Sequence, residues 1–514
     1  MNRRQILSLL AAGLLARPRH VNAQTPGRAG AVAPGPAEAP EKLDQYGGYK
    51  DVSVPGGATG YFRLGKLGSR SLLATPEGNA FWLRAVYSID ITDGGWQVQQ
   101  GLQRKYSTQA GIPWQPWVRD VVQRMRQWGF NAIGEYSSEY AFPVESYYRG
   151  WSNPEKMPFI RIVNCSLWAK GRGVQNVFDI DYGRFPTVHH GEMRDVFDPR
   201  FESASREVAT DSRSDVKVFT PKPLTNSPWL IGTTIDDADY TRGIKSAGHE
   251  HVGWLVAVGR PNHSKGALRD MLKRKYSTID ALNSAWGSTY TTWESDGSWP
   301  NGRGFLDESG RGRWLGTDAW FVRSAQPQVR ADLFSFLEIF ADRYFSTTAK
   351  ACRAYTPNQL VFGPAALGVG NHDEVLRAAG RHLDAIQIGW PRRGELWPLI
   401  DKAYALSGKP MFVWTTFLSQ RDSPFKNKPA DQWYEDYPTQ AERGAAYDGY
   451  VRRLATTPGI IGLDWWAWMD KITGGEYANF GLVNTSDEPY EVFTAAVQRT
   501  NRAIGSILKQ TAKP

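Results

Sequence analysis

Several apolar runs in this chain stop at carboxyl or aromatic residues, the side chains that move protons and grip ring-shaped molecules. Asp90 follows NAFWLRAVYSI, Glu135 and Tyr136 close FNAIGEY, and Asp236, Asp237 and Asp239 follow WLIGTTI. Farther along, Trp390 ends AIQIGW, while IIGLDWWAWMD carries Trp465, Trp468 and Asp470. Two carboxyls about 6.5 to 9.5 Å apart let one protonate a leaving oxygen while the other activates water. Asp237 or Asp239 as the acid, with Glu135 as the base, is the candidate pair for that chemistry. Trp390, Trp465 and Trp468 are the candidate stacking surfaces, and Asp470, Asp90 and Tyr136 the candidate hydrogen-bonding groups beside them. Side chains alternate across a strand, so at least one Trp of the Trp465 to Trp468 stretch belongs to the core.

These residues converge only if the runs are parallel strands that close on one another, because reactive groups of such a barrel gather at the carboxyl ends of its strands. Eight runs qualify: NAFWLRAVY, FNAIGEY, PFIRIVNCSLW, WLIGTTIDD, LVFGPAAL, AIQIGW, PMFVWTTF and IIGLDWWAW. Helical stretches separate them. Trp117 to Trp128 places Val118, Val121, Val122 and Met125 on one stripe before Gly129 stops it, and further helices are expected at 333–351, 374–379, 399–406 and 440–454. Alternating strands and helices in that number specify a (β/α)8 barrel, over residues 76–512, better than an open doubly wound sheet. No glycine-rich dinucleotide loop follows any strand, and no short repeat suggests a propeller or solenoid. Ahead of the barrel, YFRLGKL and SRSLLAT, separated by glycine- and proline-containing turns, predict a small β-meander over 46–75.

The first 23 residues read as an export signal, with Arg3 and Arg4 before the apolar run Ile6 to Ala16 and a small residue, Ala23, before the cut. The adjacent arginines suggest the twin-arginine route, hence a periplasmic or secreted protein. Residues 24–45 are rich in Pro, Gly and Ala and predict a flexible tether. Formal charge is +9, which falls to +5 without the four arginines of the signal, and no basic run interleaved with aromatics points to nucleic acid. No later segment is apolar for the roughly 18 residues of a membrane span. The 21 Trp, 22 Tyr and 22 Phe suit a sugar-stacking surface as well as a core. Cys165 and Cys352 are the only cysteines, so disulfides do not hold the fold, and two free buried thiols are expected. No metal-ligand spacing or cofactor motif occurs; Asn371 or Asp373 reads as a helix cap. Oligomeric state is open.

Longer stretches carry a family likeness. FRLGKLGSRSLLATPEGNAFWL, DVFDPRF, LKRKYSTIDALNSAWGSTYTTW, PTQAERGAAYDGYV and GLDWWAWMDKITGGEYANFGLVNTSDEPY resemble clan A barrel glycoside hydrolases, nearest to β-agarases and less closely to family 42 galactosidases. The resemblance implies a (β/α)8 fold and an enzyme acting on a polysaccharide or oligosaccharide. It also implies two catalytic glutamates, an acid/base after the fourth strand and a nucleophile after the seventh. Neither glutamate is present. In the family pattern Ala238 stands at the acid/base, Asp237 at the preceding Asn, and Thr415 or Thr416 at the nucleophile, while Asp236 matches a residue that braces the strand end.

Three readings follow. The first is a hydrolase with relocated carboxylates, as above. A second is a lyase acting on an acidic glycan, with Tyr136, His189 or His190 abstracting a proton and Lys170 or Arg242 neutralising a substrate carboxylate. The third is a barrel that binds glycans without turnover.

Overall fold

The computed structural model describes residues 41–89, 95–106, 115–137, 155–177, 193–210, 226–237, 260–299, 301–308, 327–363, 373–389, 396–421, 436–471 and 479–511. All of them belong to one compact unit, Glu41–Pro514. The export signal and most of the tether, residues 1–40, lie outside the described residues.

The chain starts with four antiparallel strands, β1 (Tyr49–Ser53), β2 (Arg63–Leu67), β3 (Arg70–Ala74) and β4 (Asn79–Phe81), in the order β1-β4-β3-β2. The run NAFWLRAVY is divided: residues 79–81 complete this small sheet, and only the residues after Trp82 enter the barrel. The meander therefore reaches past residue 75. The tether is also shorter than expected at its end, because Asp44 is buried and its carboxylate accepts from Tyr46 N, Gly48 N, Thr75 Oγ1 and Asn79 Nδ2 at 2.6 to 2.9 Å. A carboxylate with four donors fixes the chain around it.

Eight parallel strands follow: β5 (Leu83–Tyr87), β6 (Ala132–Ile133), β7 (Phe159–Val163), β8 (Leu230–Ile235), β9 (Leu360–Phe362), β10 (Ile386–Gly389), β11 (Met411–Thr416) and β14 (Ile460–Trp466), the last coming after a short pair, β12 (Ser419–Gln420) and β13 (Asp436–Tyr437). Their hydrogen-bonded order is β10-β11-β14-β5-β6-β7-β8-β9. The end strands are joined at their bases, where Asp384 N donates to Val361 O and Val361 N to the Asp384 carboxylate. Each of the eight expected runs supplies one strand. Where β14 crosses β5, Gly462 is required, since a Cβ there would lie 2.3 Å from the Leu83 backbone oxygen.

Among the described residues the α-helices are α1 (Gly95–Lys105), α2 (Gln115–Gln127), α3 (Cys165–Gly171), α4 (Pro199–Thr210), α5 (His263–Tyr276), α6 (Ile279–Trp286), α7 (Pro327–Tyr355), α8 (Asp373–His382), α9 (Leu396–Ser407), α10 (Gln440–Thr456) and α11 (Glu491–Thr511). Helix α2 buries the anticipated stripe Val118, Val121, Val122 and Met125, and Gly129, at φ +76°, ends it. Helix α10 starts at Thr439, whose hydroxyl accepts from Glu442 N and donates to the Glu442 carboxylate. Cys165 and Cys352 are free and buried. Among the described residues no helix is long and apolar enough to cross a membrane.

Candidate active site

Four non-glycine residues leave their strands with the backbone in the left-handed region: Ser88 (φ 55°), Tyr136 (55°), Asp236 (54°) and Thr415 (59°). Each such residue costs about 1 kcal/mol or more, so four on one rim mark where the chain is bent for something other than sheet pairing. Gly134 lets two strand tips touch there, because a Cβ on it would meet Tyr87 Cβ at 2.5 Å.

Aromatic rings line this rim. Tyr87 stacks on Trp414 (centroids 5.3 Å) and on Trp466 (6.0 Å), with Tyr136 packed against them, and Phe417 and Phe480 close the far side of Trp466. These rings form small clusters separate from the main core. Trp466 and Tyr136 are half-buried, and Lys471 Nζ stands 5.9 Å from the Trp466 ring. A hydrophobic face with a cation at its edge suits a ring that is apolar on its flat side and hydroxylated at its rim.

Beneath the rings the barrel interior is polar. Interior layers of such barrels draw four side chains from alternate strands and are usually aliphatic. Here the second, fourth, sixth and eighth strands contribute Glu135, Thr234, Gln387 and Asp464, all fully buried. Thr234 Oγ1 donates to Glu135 Oε1, and Gln387 Nε2 donates to the same oxygen at 2.5 Å. Asp464 Oδ1 accepts from Thr415 N at 2.7 Å, and the two carboxyl groups are electrostatic neighbours, with Glu135 Oε2 and Asp464 Oδ2 both buried without a partner. Burial first, and then the charge of Glu135, pushes the Asp464 carboxyl far above the usual carboxylate range. Burial also raises Glu135, against the pull of its donors.

Asp236 braces the strand end, as the resemblance implied: its carboxylate accepts from Ser166 N (2.8 Å), Ser166 Oγ (2.7 Å) and Tyr344 OH (2.7 Å), and burial raises its pKa to about 6. Asp237 is half-buried beyond the tip of β8, its N–H donating to Asn164 Oδ1 at 3.1 Å. Thr415 Oγ1 lies 3.3 Å from Tyr87 OH, and Thr416 Oγ1 is buried without a partner. No base is bonded to either hydroxyl among the described residues, so neither is an activated nucleophile.

The site thus gathers Glu135, Tyr136 and Asp237 on one end of the barrel. Asp90, Asp239 and Trp390 lie outside the described residues, as do His189, His190 and Arg242. Three expectations are corrected. Trp465 has no exposed surface and packs between Tyr447 and Phe493 of the outer helices. Trp468, equally buried, stacks on Trp128 under the Arg124 guanidinium. Asp470 spends both oxygens internally, accepting from Gly481 N at 2.9 Å and Tyr490 OH at 2.5 Å. None of the three can meet a ligand from solvent. Lys170 is exposed in the last turn of α3. Sequence reasoning missed Asp464, Gln387, Tyr87 and Trp414, and took Trp465 and Trp468 as stacking surfaces in place of Trp466. Asp464 carried a signal, since an acid inside the apolar run IIGLDWW must be paired to be buried. Among the described residues no group of three or more His, Cys, Asp or Glu side chains is placed to hold a metal ion.

No family model matches the chain. In sequence it is 23% identical to Beta-agarase B of Vibrio sp. (strain JT0107) over 89% of its own length and 50% of that protein's. The chain spans about half the length of this relative. In fold it is similar to the crystal structure of an agarase, AgWH50C, with a TM-score of 0.70, 21% identity, and coverage of 92% of this chain and 68% of the other. An exo-beta-agarase structure superposes with a TM-score of 0.67 and 20% identity, over 90% of this chain and 68% of that one.

Proposed function

We propose that this chain is an exported glycoside hydrolase that cleaves O-glycosidic bonds in an agarose-type galactan. The observation that carries the reading is the aromatic rim in which half-buried Tyr136 and Trp466 pack on buried Tyr87 and Trp414, at the end of a β-agarase-like barrel where reactive groups collect. A neutral hydroxylated sugar stacks on such a rim without a charge to neutralise, which favours hydrolysis over elimination from an acidic sugar. Trp390, at the tip of β10 in sequence, extends the rim in this reading, and Asp90 hydrogen-bonds hydroxyls beside it.

The family's double displacement needs a carboxylate nucleophile, and Thr415 and Thr416 offer none. Asp237 is the proton donor in our reading, with Asp239 activating water for a single displacement. Glu135 contributes differently from the water-activating role that its sequence position suggested. Its Oε1 is held by Thr234 and Gln387 and Asp464 is its titratable neighbour, so it supplies fixed negative charge below the sugar. That charge favours the positive character that the sugar ring gains in the transition state.

The test is incubation of the chain with agarose and agaro-oligosaccharides, reading new reducing ends. Asp237→Asn is expected to lower turnover by about 10² or more. Unsaturated, ultraviolet-absorbing ends in place of simple reducing ends would instead establish the lyase. The substituted glutamate positions favour one alternative, the binding-only barrel: retained affinity for the oligosaccharide with no product would establish it. The export signal over residues 1–23 is tested by fractionating cells that express the chain with and without Arg3 and Arg4.

A further inference from the structure

We propose that Glu135 and Asp464 hold a single proton between them in the polar layer of the barrel, and that Asp464 is thereby the positioning residue of the site. The geometry leaves few options. Each carboxyl has one oxygen bonded to a neutral donor, Glu135 Oε1 to Thr234 and Gln387, and Asp464 Oδ1 to Thr415 N. The other oxygen of each, Glu135 Oε2 and Asp464 Oδ2, is fully buried and has no donor. Two ionised carboxylates in contact in a dry interior repel strongly, and one proton between them removes both the repulsion and the two unpaired oxygens.

Among the described residues the layer around the pair is uncharged. Thr234 of β8, Gln387 of β10 and Thr415 of β11 face it, Tyr87 of β5 reaches it through the Thr415 hydroxyl, and the titratable neighbour of each carboxyl is the other. The proton sits on Asp464, because Glu135 already accepts from two donors that favour its ionised form. Asp464 then does two things. It donates from Oδ2 to Glu135, and it accepts from Thr415 N, which fixes the left-handed residue where the chain leaves β11. The pair carries one net negative charge at the floor of the rim. Its use in catalysis rests on the hydrolase reading; the shared proton does not.

Asp464→Asn imitates the protonated side chain, with Oδ1 accepting from Thr415 N and Nδ2 donating to Glu135, so it should fold, and at neutral pH, where only the unfolded Asp464 is ionised, melt at or above the wild-type temperature. Infrared spectra at about pH 8, well above the value of about 6 to which Asp236 is raised, isolate the pair from that residue. Wild type is expected to show the C=O stretch of one protonated carboxyl, and Asp464→Asn to lose it. Glu135→Gln should lose it too, because Asp464 then ionises beside a neutral amide donor. Further alkalinity should lower the melting temperature of wild type more than that of Asp464→Asn, since only wild type has this proton to lose. Absence of the stretch from wild type, its persistence in both variants, or parallel melting curves across alkaline pH would overturn the proposal. So would a stretch that emerges only after chelation, which would mean a cation holds the two oxygens. None of these readouts needs turnover, so a chain that fails to cleave galactan leaves them intact.

Discussion

Seven consecutive residues, Asp464 to Asp470, serve two regions of this molecule that obey different rules. Trp465, Trp468 and Asp470 belong to the seam behind β14, where α2, α10 and α11 meet the barrel. There the charged groups are tied into networks: Asp487 accepts from Arg124, Lys105 and Tyr106, and the buried Arg443 guanidinium donates to Leu418 O, Phe480 O and Gly481 O. Asp464 and Trp466 belong to the mouth, where the backbone is bent into the left-handed region and buried oxygens go unmatched. Structure dominates the first region, and pre-organisation the second. The contrast teaches that a tryptophan-rich strand end is not a binding surface as a whole; alternate residues are assigned to opposite tasks.

The contrast breaks most clearly at Trp468. Trp468→Ala removes a fully buried ring and should lower stability by about 3 to 5 kcal/mol in chemical denaturation, with the surviving folded fraction still binding sugar. A loss of binding out of proportion to the loss of folded protein would place Trp468 at the mouth after all.

Asp236 sharpens the comparison through pH. Its folded carboxyl is raised to about 6 from an ordinary 3.8, so the folded state holds its proton more tightly than the unfolded state. That stability is fully present below about pH 4 and is lost as pH rises through about 6; the shift of about two units corresponds to about 3 kcal/mol. Asp236→Asn should flatten this part of the curve. Equal slopes for wild type and variant would show that the brace is not held by this proton.

Trp466→Ala is the mirror image of the Trp468 change. It should raise KM for an oligosaccharide by about tenfold to a hundredfold, equivalent to about 1.4 to 2.8 kcal/mol, while denaturation midpoints move little. A KM that stays put would remove Trp466 from the sugar path. The smallest effect is expected on the outside, where Lys402 pairs with Asp373 at 2.5 Å with both side chains nearly half exposed. Lys402→Ala should change stability by less than about 1 kcal/mol, and a larger drop in the denaturation midpoint would show that the outer helices depend on their ion pairs.

The fold was largely legible in the sequence because hydrophobic periodicity is local. The stripe of α2, its stop at Gly129 and all eight barrel runs could be read from spacing alone. The divided run at Trp82 could not, since one apolar stretch serves two sheets and only tertiary pairing separates them. At the site, Glu135 and Tyr136 were legible as strand-end residues, and Asp236 as a brace. The phase of the tryptophans was not. Alternation would have put Trp465 and Trp468 on opposite faces, but β14 ends at Trp466 and the chain turns, so both enter the seam. Asp464 was passed over because a residue within a strand, not at its tip, does not look reactive. Its partner sits more than 300 positions earlier, a separation no local pattern reports.

The central claim is tested most directly by incubating the full chain with an agaro-oligosaccharide of defined length in water enriched in heavy oxygen, then weighing the products. The account predicts shorter sugars whose new reducing ends carry the solvent's oxygen. Prolonged incubation that returns only intact oligosaccharide, or fragments with an unsaturated end and no solvent oxygen, would contradict it.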